Sequence, residues 1–287
     1  MQKRVGLVLS SGGARGVAHI GVIEGLLEEG YEIAAISGSS MGAVIAGVYA
    51  AGKLQEFKDW IINLDKYDVF KLMDFTLSTQ GFVRGERVFK EMRKFIGDCN
   101  IEDFDIPLSI VATDIVNKKE VVFNSGSLYT ALRASAAIPS VLMPSILDGK
   151  ELVDGGVLNP IPIDYINKED VDWIVVSDVN ANVPCTMPSE PAPKPSRPLA
   201  EYLERWNNFF PESTKVKRLS YFDLITCSVD LMQDRISDYI IAYHRPDVVV
   251  KISRDTCGTF AFYRSADVIN YGKSEFKKAL QSCITAN

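Results

Sequence analysis

The segment ISGSSMGAVIAG, residues 36–47, places Ser40 between Gly38 and Gly42. A Gly-x-Ser-x-Gly pattern that follows a strand and opens a helix makes a sharp turn, and the turn exposes the serine hydroxyl above a sheet edge. Side chains at either glycine would collide where the chain reverses. The amino end of the next helix also favours negative charge near the hydroxyl. Ser40 is therefore a candidate nucleophile and Ser39 a structural residue, with an ordinary tight turn as the alternative.

A serine hydroxyl is a weak nucleophile until a neighbouring base takes its proton. The chain has two histidines, His19 and His244. In the order Ser, acid, His of α/β-hydrolases, only His244 could be the base. It ends a predicted helix with no turn signal, which is typical of a surface or capping residue. His19 lies inside the first predicted helix, where it packs or donates a structural hydrogen bond. The sequence gives little support for a Ser–His–Asp triad.

A carboxylate can replace histidine as the base if it lies within hydrogen-bond reach of the serine. The best candidate is Asp154 in LVDGGVLNPIP, because Leu152 and Val153 end a short predicted strand and Gly155-Gly156 allow a tight turn. Asp-Gly-Gly also makes a good hairpin turn without any catalytic role. Both interpretations of Asp154 stand at this point.

A glycine loop, SSGGARG over residues 10–16, precedes the first predicted helix. Consecutive glycines expose backbone N–H groups, which stabilise an oxyanion when they are directed at it. The loop matches neither phosphate-binding pattern, since it lacks Gly-x-x-x-x-Gly-Lys-Ser/Thr and Ser11 takes the first glycine place of Gly-x-Gly-x-x-Gly. Arg15 either orients the loop or contacts a polar head group.

Two parallel strands are predicted to position these segments. A strand over Val5–Leu9 runs into the glycine loop and a helix that stops at Gly30, and a strand over Ile33–Ile36 runs into the serine turn and a helix over Met41–Ala51. This order predicts adjacent parallel strands with right-handed crossovers. Further strands are predicted at Leu108–Thr113, Glu120–Phe123, Trp173–Val176 and Val248–Ile252, and further helices at Arg87–Ile96, Leu199–Phe210, Asp223–Ala242 and Asp267–Ser282.

Composition favours one globular α/β domain over residues 1–287, since the chain is 47% hydrophobic and 24% charged. The proline-rich segment 183–198 is predicted to be an extended loop. A net charge of −6 without a long basic run argues against a nucleic-acid partner. Five widely spaced cysteines without a Cys-x-x-Cys pair favour reduced thiols in the cytoplasm over disulfides or a zinc site. No segment is long and apolar enough for a membrane span.

Three motifs in order, SSGGARG, GSSMG and VDGG, resemble those of the patatin-like phospholipases, in particular the bacterial branch. ALRASAAIPSVLMP resembles the Ala-Ser-x-Ala-x-Pro segment that precedes the catalytic aspartate of that family. HRPDVVVKI and FYRSADVINYGKSEF resemble its closing strand and helix. The resemblance runs from about Arg4 to Lys278, except for the proline-rich loop. One departure is Ser10-Ser11, where a Gly-Gly or Gly-Ser pair is frequent.

The resemblance implies a three-layer α/β/α fold with a central, mostly parallel sheet. It also implies a Ser–Asp dyad, with Ser40 as nucleophile and Asp154 as base, and hydrolysis of lipid acyl esters without a metal or cofactor. The implied oxyanion hole consists of the amides of Gly12, Gly13 and Ala14. The supporting motif residues are Arg15, Gly16, Gly38, Gly42, Gly155 and Gly156.

The sequence thus predicts a serine acyl hydrolase of the phospholipase or lysophospholipase type, with a lipid ester as its substrate. It is expected in the cytoplasm, with transient contact at a membrane surface. An acyltransferase with the same dyad and a catalytically inactive interaction protein are the alternatives. The apolar region 67–87 is either core or the lining or lid of an acyl site; its large apolar residues are Phe70, Leu72, Met73, Phe75, Leu77 and Phe82.

Overall fold

Helices separate some of the strands, and other strands follow one another along the chain without an intervening α-helix. The computed structural model describes residues 3–72, 81–83, 85–187 and 221–286. Its strands are β1 Arg4–Leu9, β2 Glu32–Ser39, β3 Gly81–Val83, β4 Leu108–Asp114, β5 Lys119–Phe123, β6 Ser140–Leu142, β7 Ser145–Leu147, β8 Lys150–Asp154, β9 Trp173–Ala181 and β10 Val248–Ser253. Its helices are α1 Ala18–Glu28, α2 Met41–Ala50, α3 Leu54–Ile62, α4 Lys66–Leu72, α5 Glu86–Ile96, α6 Leu128–Ser135, α7 Tyr221–His244 and α8 Ser265–Ala286.

A mixed sheet forms the centre of the fold. Strands β10, β9, β1, β2 and β4 pair in that order, and each pair is parallel. Strands β5 and β8 pair antiparallel with β4, and β7 pairs antiparallel with β8. β1 and β2 are buried along nearly their whole length, as expected for strands with helices on both faces. The predicted three-layer α/β/α fold is confirmed, including the adjacent parallel pair β1–β2.

Two strands meet end to end along one edge of β4. The end of β2 pairs there, with Ser39 opposite Val111, and the end of β8 pairs with Asp154 opposite Ala112. β5 pairs with residues 110–114 and therefore occupies the other edge. β2 runs parallel to β4 and β8 antiparallel to it, so their carboxyl ends converge. This topology brings residue 40 close to residue 154 although they are far apart in the sequence.

Contacts divide the chain into two units. The larger one comprises residues 1–185 and 232–287, and the smaller one residues 186–231. The sheet and all the predicted site residues belong to the larger unit. In the smaller unit, the described residues include the first half of α7. The helix predicted at 199–210 and most of the proline-rich loop lie outside the described residues, and the single-domain assignment stays a prediction.

Within the described ranges, no helix is both long and apolar enough to cross a bilayer.

Candidate active site

Ser40 lies at the sharp turn between β2 and α2. Its backbone has φ 56° and ψ −124°, a conformation that a residue with a side chain rarely adopts. A Cβ atom on Gly38 would lie 2.5 Å from the carbonyl carbon of Gly42, and one on Gly42 would lie 2.2 Å from the carbonyl oxygen of Leu9. The turn therefore requires glycine at both positions, as the sequence pattern predicted.

The Ser40 hydroxyl contacts the carboxylate of Asp154. Ser40 Oγ donates a hydrogen bond to Asp154 Oδ2 at 2.5 Å, and both residues are buried. The other carboxylate oxygen, Oδ1, accepts from the N–H of Gly156 at 2.8 Å. The Asp154 N–H donates to the carbonyl oxygen of Ala137 at 2.9 Å. Backbone contacts on both sides of Asp154 thus fix the carboxylate against the hydroxyl.

The two glycines after Asp154 allow this close approach. Gly155 begins a short 3₁₀ turn rather than a hairpin, so the hairpin interpretation of Asp-Gly-Gly is wrong. A Cβ atom on Gly155 would lie 2.1 Å from the carbonyl oxygen of Val111, and one on Gly156 would lie 2.8 Å from the side chain of Ser11. Larger residues would push Asp154 away from β4 and from the glycine loop.

Burial raises the pKa of Asp154 to about 6, against the opposing effect of the hydrogen bonds from Ser40 and Gly156. The group loses water that would stabilise its charged form. At pH 7 the carboxylate is still the major form and can accept a proton. A base with a pKa near the working pH is efficient, because it both takes and returns a proton readily.

Ser135, at the end of α6, holds the backbone of the Ser40 turn. The Ser40 N–H donates to Ser135 Oγ at 2.9 Å, and Ser135 Oγ–H donates to the carbonyl oxygen of Val111 at 2.6 Å. Ser135 is fully buried. It therefore joins the strained turn to β4 at the point where β2 ends. The sequence contains Ser135 in the ALRASAAIPS segment, but nothing in its spacing indicated this contact.

On the expectation that Ser40 is the nucleophile of an ester hydrolase, replacing Ser135 with alanine should lower kcat by about 10–100-fold with little change in KM, because a misplaced nucleophile loses orientation rather than substrate affinity. Steady-state hydrolysis of p-nitrophenyl butyrate measures both constants. Ser253→Ala is a matched control: Ser253 Oγ is also buried, also accepts from a backbone N–H (Asp255) and also donates to a carbonyl (Val183). Equal losses of kcat in the two variants would mean that Ser135 has a purely structural role.

The glycine loop lies beside Ser40, and Gly13 and Ser40 line the same cavity. Among the described residues, the N–H groups of Gly12 and Gly13 have no hydrogen-bond partner. The N–H of Ala14 donates to the carbonyl oxygen of Thr259 at 2.8 Å. Of the three amides expected to form an oxyanion hole, two are thus available in this conformation and the third is occupied.

Arg15 and Gly16 shape the loop. Arg15 Nε donates to Asn180 Oδ1 at 3.0 Å, and Asn180 Nδ2 donates to the carbonyl oxygen of Ser11 at 2.8 Å. Arg15 thus orients the loop through Asn180, the first of its two predicted roles. A Cβ atom on Gly16 would lie 2.5 Å from Met41 Cγ, so the glycine lets the loop pack against the start of α2.

Neither histidine is a hydrogen-bond partner of Ser40 in the part of the chain that the structure describes. His19 is fully buried, with Nδ1 2.8 Å from Ser177 Oγ and Nε2 2.9 Å from the carbonyl oxygen of Ser10. Burial lowers the pKa of His19 to about 4, so it is neutral at pH 7. His244 Nε2 lies 3.1 Å from Asp164 Oδ1. Both imidazoles are engaged elsewhere.

An apolar cavity of about 130 Å³ begins at Ser40. Gly13, Met41 and Val44 line it near the hydroxyl. Three helices form its apolar walls; the wall residues include Phe57, Trp60, Val69, Leu72, Phe89 and Met92. Leu72 comes from the predicted apolar region 67–87. Met73, Phe75 and Leu77 of that region lie outside the described residues.

Known proteins resemble this chain over the segments that form the candidate site. Residues 7–166 match the family model described as patatin-like phospholipase. An uncharacterized NTE family protein of Mycobacterium tuberculosis is 32% identical in an alignment of 338 positions that covers 97% of this chain and 92% of that protein.

Longer relatives contain a similar region. The neuropathy target esterase of Drosophila melanogaster is 28% identical over 95% of this chain but only 19% of its own length. A lysophospholipase of Emericella nidulans is 26% identical over 97% of this chain and 18% of its own length. Among solved structures, that of VipD from Legionella pneumophila aligns with 98% of this chain and 67% of its own, at 14% identity and a TM-score of 0.49.

Proposed function

The chain belongs to the patatin-like phospholipase family, and on that premise we propose that it is a serine acyl hydrolase that cleaves carboxylic esters of lipids through Ser40 and Asp154. The observation that carries the proposal is the hydrogen bond of 2.5 Å between the Ser40 hydroxyl and the buried Asp154 carboxylate. The bond lies at the end of an apolar cavity, beside the amides of the glycine loop. The proposed nucleophile, Ser40, therefore contacts the proposed base, Asp154, and lines the cavity proposed to hold the substrate.

In the first half of the reaction, Ser40 Oγ attacks the ester carbonyl carbon while its proton passes to Asp154 Oδ2. The negative charge on the carbonyl oxygen is stabilised by the N–H groups of Gly12 and Gly13 and by the amino end of α2. When the tetrahedral intermediate collapses, the C–O bond to the alcohol breaks. The leaving oxygen takes the proton from Asp154, and the acyl group stays on Ser40.

In the second half, Asp154 accepts a proton from a water molecule, whose oxygen attacks the acyl carbon. The same amides stabilise the second oxyanion. Collapse breaks the bond to Ser40 Oγ, which recovers its proton from Asp154, and a free carboxylic acid leaves. The residues used are the same in both halves, so a dyad is sufficient for the whole cycle.

The apolar cavity is proposed to hold the acyl chain of the substrate. Its walls offer apolar side chains from α3, α4 and α5, which match a hydrocarbon chain and exclude water. Val69 and Leu72 of α4 lie on these walls. For these two residues, this is the acyl-site role that the sequence left open for the region 67–87.

Leu72→Trp is expected to shorten the acceptable chain, because the larger ring occupies part of the cavity. The ratio of kcat/KM for p-nitrophenyl octanoate to that for the butyrate should fall about tenfold, the size of effect that a few methylenes produce in an apolar pocket. Ile62→Trp, at an exposed residue of α3 outside the cavity lining, is the matched control. An unchanged ratio with a lower melting temperature would mean that Leu72 only supports the fold.

Product analysis tests the proposed reaction directly. Incubation with a labelled lipid ester in water, with and without added long-chain alcohol, should release free fatty acid in both cases. Transfer of most of the label to the alcohol would favour the acyltransferase, and no turnover of any ester would favour an inactive interaction protein. The reaction as proposed needs no metal or cofactor.

We further propose that the protein acts in the cytoplasm and meets its lipid substrate in transient contacts with a membrane surface. Cell fractionation tests this. Most of the protein should be found in the cytosolic fraction, and salt or detergent should release the smaller part that sediments with membranes.

A further inference from the structure

Helix α4 has an apolar inner face and an aromatic outer face. Val69 is 6% exposed and, with Leu72, lines the cavity next to Ser40. Tyr67 and Phe70 are 70% and 60% exposed. Each pair is three residues apart, so each occupies one side of the helix. A short helix that is apolar on both sides is unusual at a surface that faces only water.

Two lysines flank the aromatic face. At about 3.6 residues per turn, Lys66 and Lys71 lie on either side of the stripe formed by Tyr67 and Phe70. The ammonium group of Lys66 lies 4.5 Å from the ring centre of Tyr263. Aromatic side chains bordered by lysines are typical of helices that lie in the interface of a lipid bilayer.

The nearby carboxylates face the helix backbone. Asp65 Oδ1 accepts from the N–H of Asp68 at 2.8 Å, and Asp68 Oδ2 accepts from the N–H of Asp65 at 3.3 Å. In the wheel projection Asp68 falls on the side away from the Tyr67–Phe70 stripe. Among the described residues of α4 itself, the charges that border the stripe are therefore the two lysines, and the Arg87 guanidinium also lies close, donating to the carbonyl oxygen of Lys71 at 3.1 Å.

Helix α4 lies near the opening of the cavity. Phe260 lines the cavity and is 37% exposed, so it lies where the cavity opens. α4 also packs against the short turn over residues 262–264 that follows Phe260. A lipid surface that met Tyr67 and Phe70 would therefore lie next to the entrance to the acyl site.

We propose that the outer face of α4, formed by Tyr67 and Phe70 between Lys66 and Lys71, docks on the surface of a phospholipid bilayer. The aromatic rings lie at the headgroup level and the lysines contact lipid phosphates. A lipid then moves from the bilayer into the cavity without exposing its chain to water. The proposal rests on the proposed function, because it assumes a lipid substrate for the adjoining site.

A protein partner fits this face less well. Two aromatic side chains bury about 300–500 Å² at most, whereas each side of a stable protein interface buries roughly 800 Å². Shallow insertion into a bilayer has no such threshold, because its strength scales with the apolar area inserted plus the attraction of cationic side chains to anionic lipids.

Sedimentation with vesicles tests the docking surface. The vesicles contain phosphatidylcholine and phosphatidylglycerol in equal parts, and binding is measured in the Ser40→Ala background, so that it does not depend on hydrolysis. Tyr67→Ser/Phe70→Ser should raise the apparent Kd for lipid at least about tenfold, because two rings no longer insert. The matched control is Tyr243→Ser, which removes an aromatic ring that is 83% exposed at the end of α7; its Kd should stay within about twofold.

The outcomes separate this proposal from the proposed function. With Ser40 present, Tyr67→Ser/Phe70→Ser should hydrolyse soluble p-nitrophenyl butyrate at the wild-type rate, which also shows that it is folded. Vesicle affinity equal to that of the parent would overturn the docking surface and leave the hydrolase intact. A dimer in the parent that the double substitution abolishes would assign the face to a second copy instead. If the wild-type protein did not hydrolyse the soluble ester but the vesicle-binding results were as expected, the proposed function would be overturned and the docking surface would remain.

Discussion

Replacing Ser40 with alanine is expected to lower kcat for ester hydrolysis by about 10⁵–10⁶-fold, the loss produced when the nucleophile of a serine hydrolase is removed. Alanine offers no oxygen to attack the carbonyl, so the proposed acyl-enzyme cannot form. Hydrolysis of p-nitrophenyl butyrate, monitored at high enzyme concentration, measures the residual rate.

Ser39→Ala is the matched control for this substitution. Ser39 is the neighbouring serine, it is equally buried, and its Oγ atom has no hydrogen-bond partner in the described structure. Its removal should leave kcat within about threefold of the wild type, since no hydrogen bond is lost. If Ser40→Ala kept wild-type activity while Ser39→Ala lost it, the nucleophile would have to be reassigned.

Replacing Asp154 with asparagine is expected to lower kcat by about 10³–10⁴-fold, comparable to the loss when a catalytic aspartate becomes an amide elsewhere. Asparagine has the same shape but cannot accept the Ser40 proton. The pH dependence adds a second readout. Because burial raises the pKa of Asp154 to about 6, wild-type kcat/KM should rise with pH through about 6 and level off above it. In the asparagine variant this step should disappear.

His244→Ala is the control that separates a dyad from a triad. His244 pairs with Asp164 on the surface of the larger unit, so its loss should leave kcat and the pH profile unchanged. A large loss in His244→Ala together with an active Asp154→Asn would restore the triad and contradict the account of Asp154 given above.

Local features of the site could be predicted from the sequence, because they depend on neighbouring residues. The serine turn requires Gly38 because a side chain there would meet Gly42 only four residues on, and it requires Gly42 because a side chain there would meet Leu9 on the adjacent strand β1. Hydrophobic runs in the sequence predicted the parallel strands β1 and β2. Consecutive glycines predicted the loop between β1 and α1. The predicted strand Ile33–Ile36 extends to Ser39 in the structure, so the strand ends directly before Ser40.

Contacts between distant segments were harder to predict. Asp154 reaches Ser40 only because β2 and β8 share one edge of β4, and the residues alone left a hairpin turn as an equal alternative. Ser135 acts through a hydrogen bond to the Ser40 backbone that no periodicity indicates. The contact between Ala14 and Thr259 joins segments at opposite ends of the chain. Resemblance to the family pointed to Asp154, because the motifs of a family reflect contacts between segments that are distant in the sequence.

Reaction with a fluorophosphonate probe tests the central claim most directly, since the probe reacts with a serine only when a base activates it. Intact-mass and peptide mapping should find a single adduct on Ser40 in the wild-type protein. The rate of labelling should fall at least about 10²-fold in Asp154→Asn and stay unchanged in His244→Ala. An adduct on another residue, no adduct at all, or equally fast labelling of Asp154→Asn would contradict the claim that Asp154 activates Ser40.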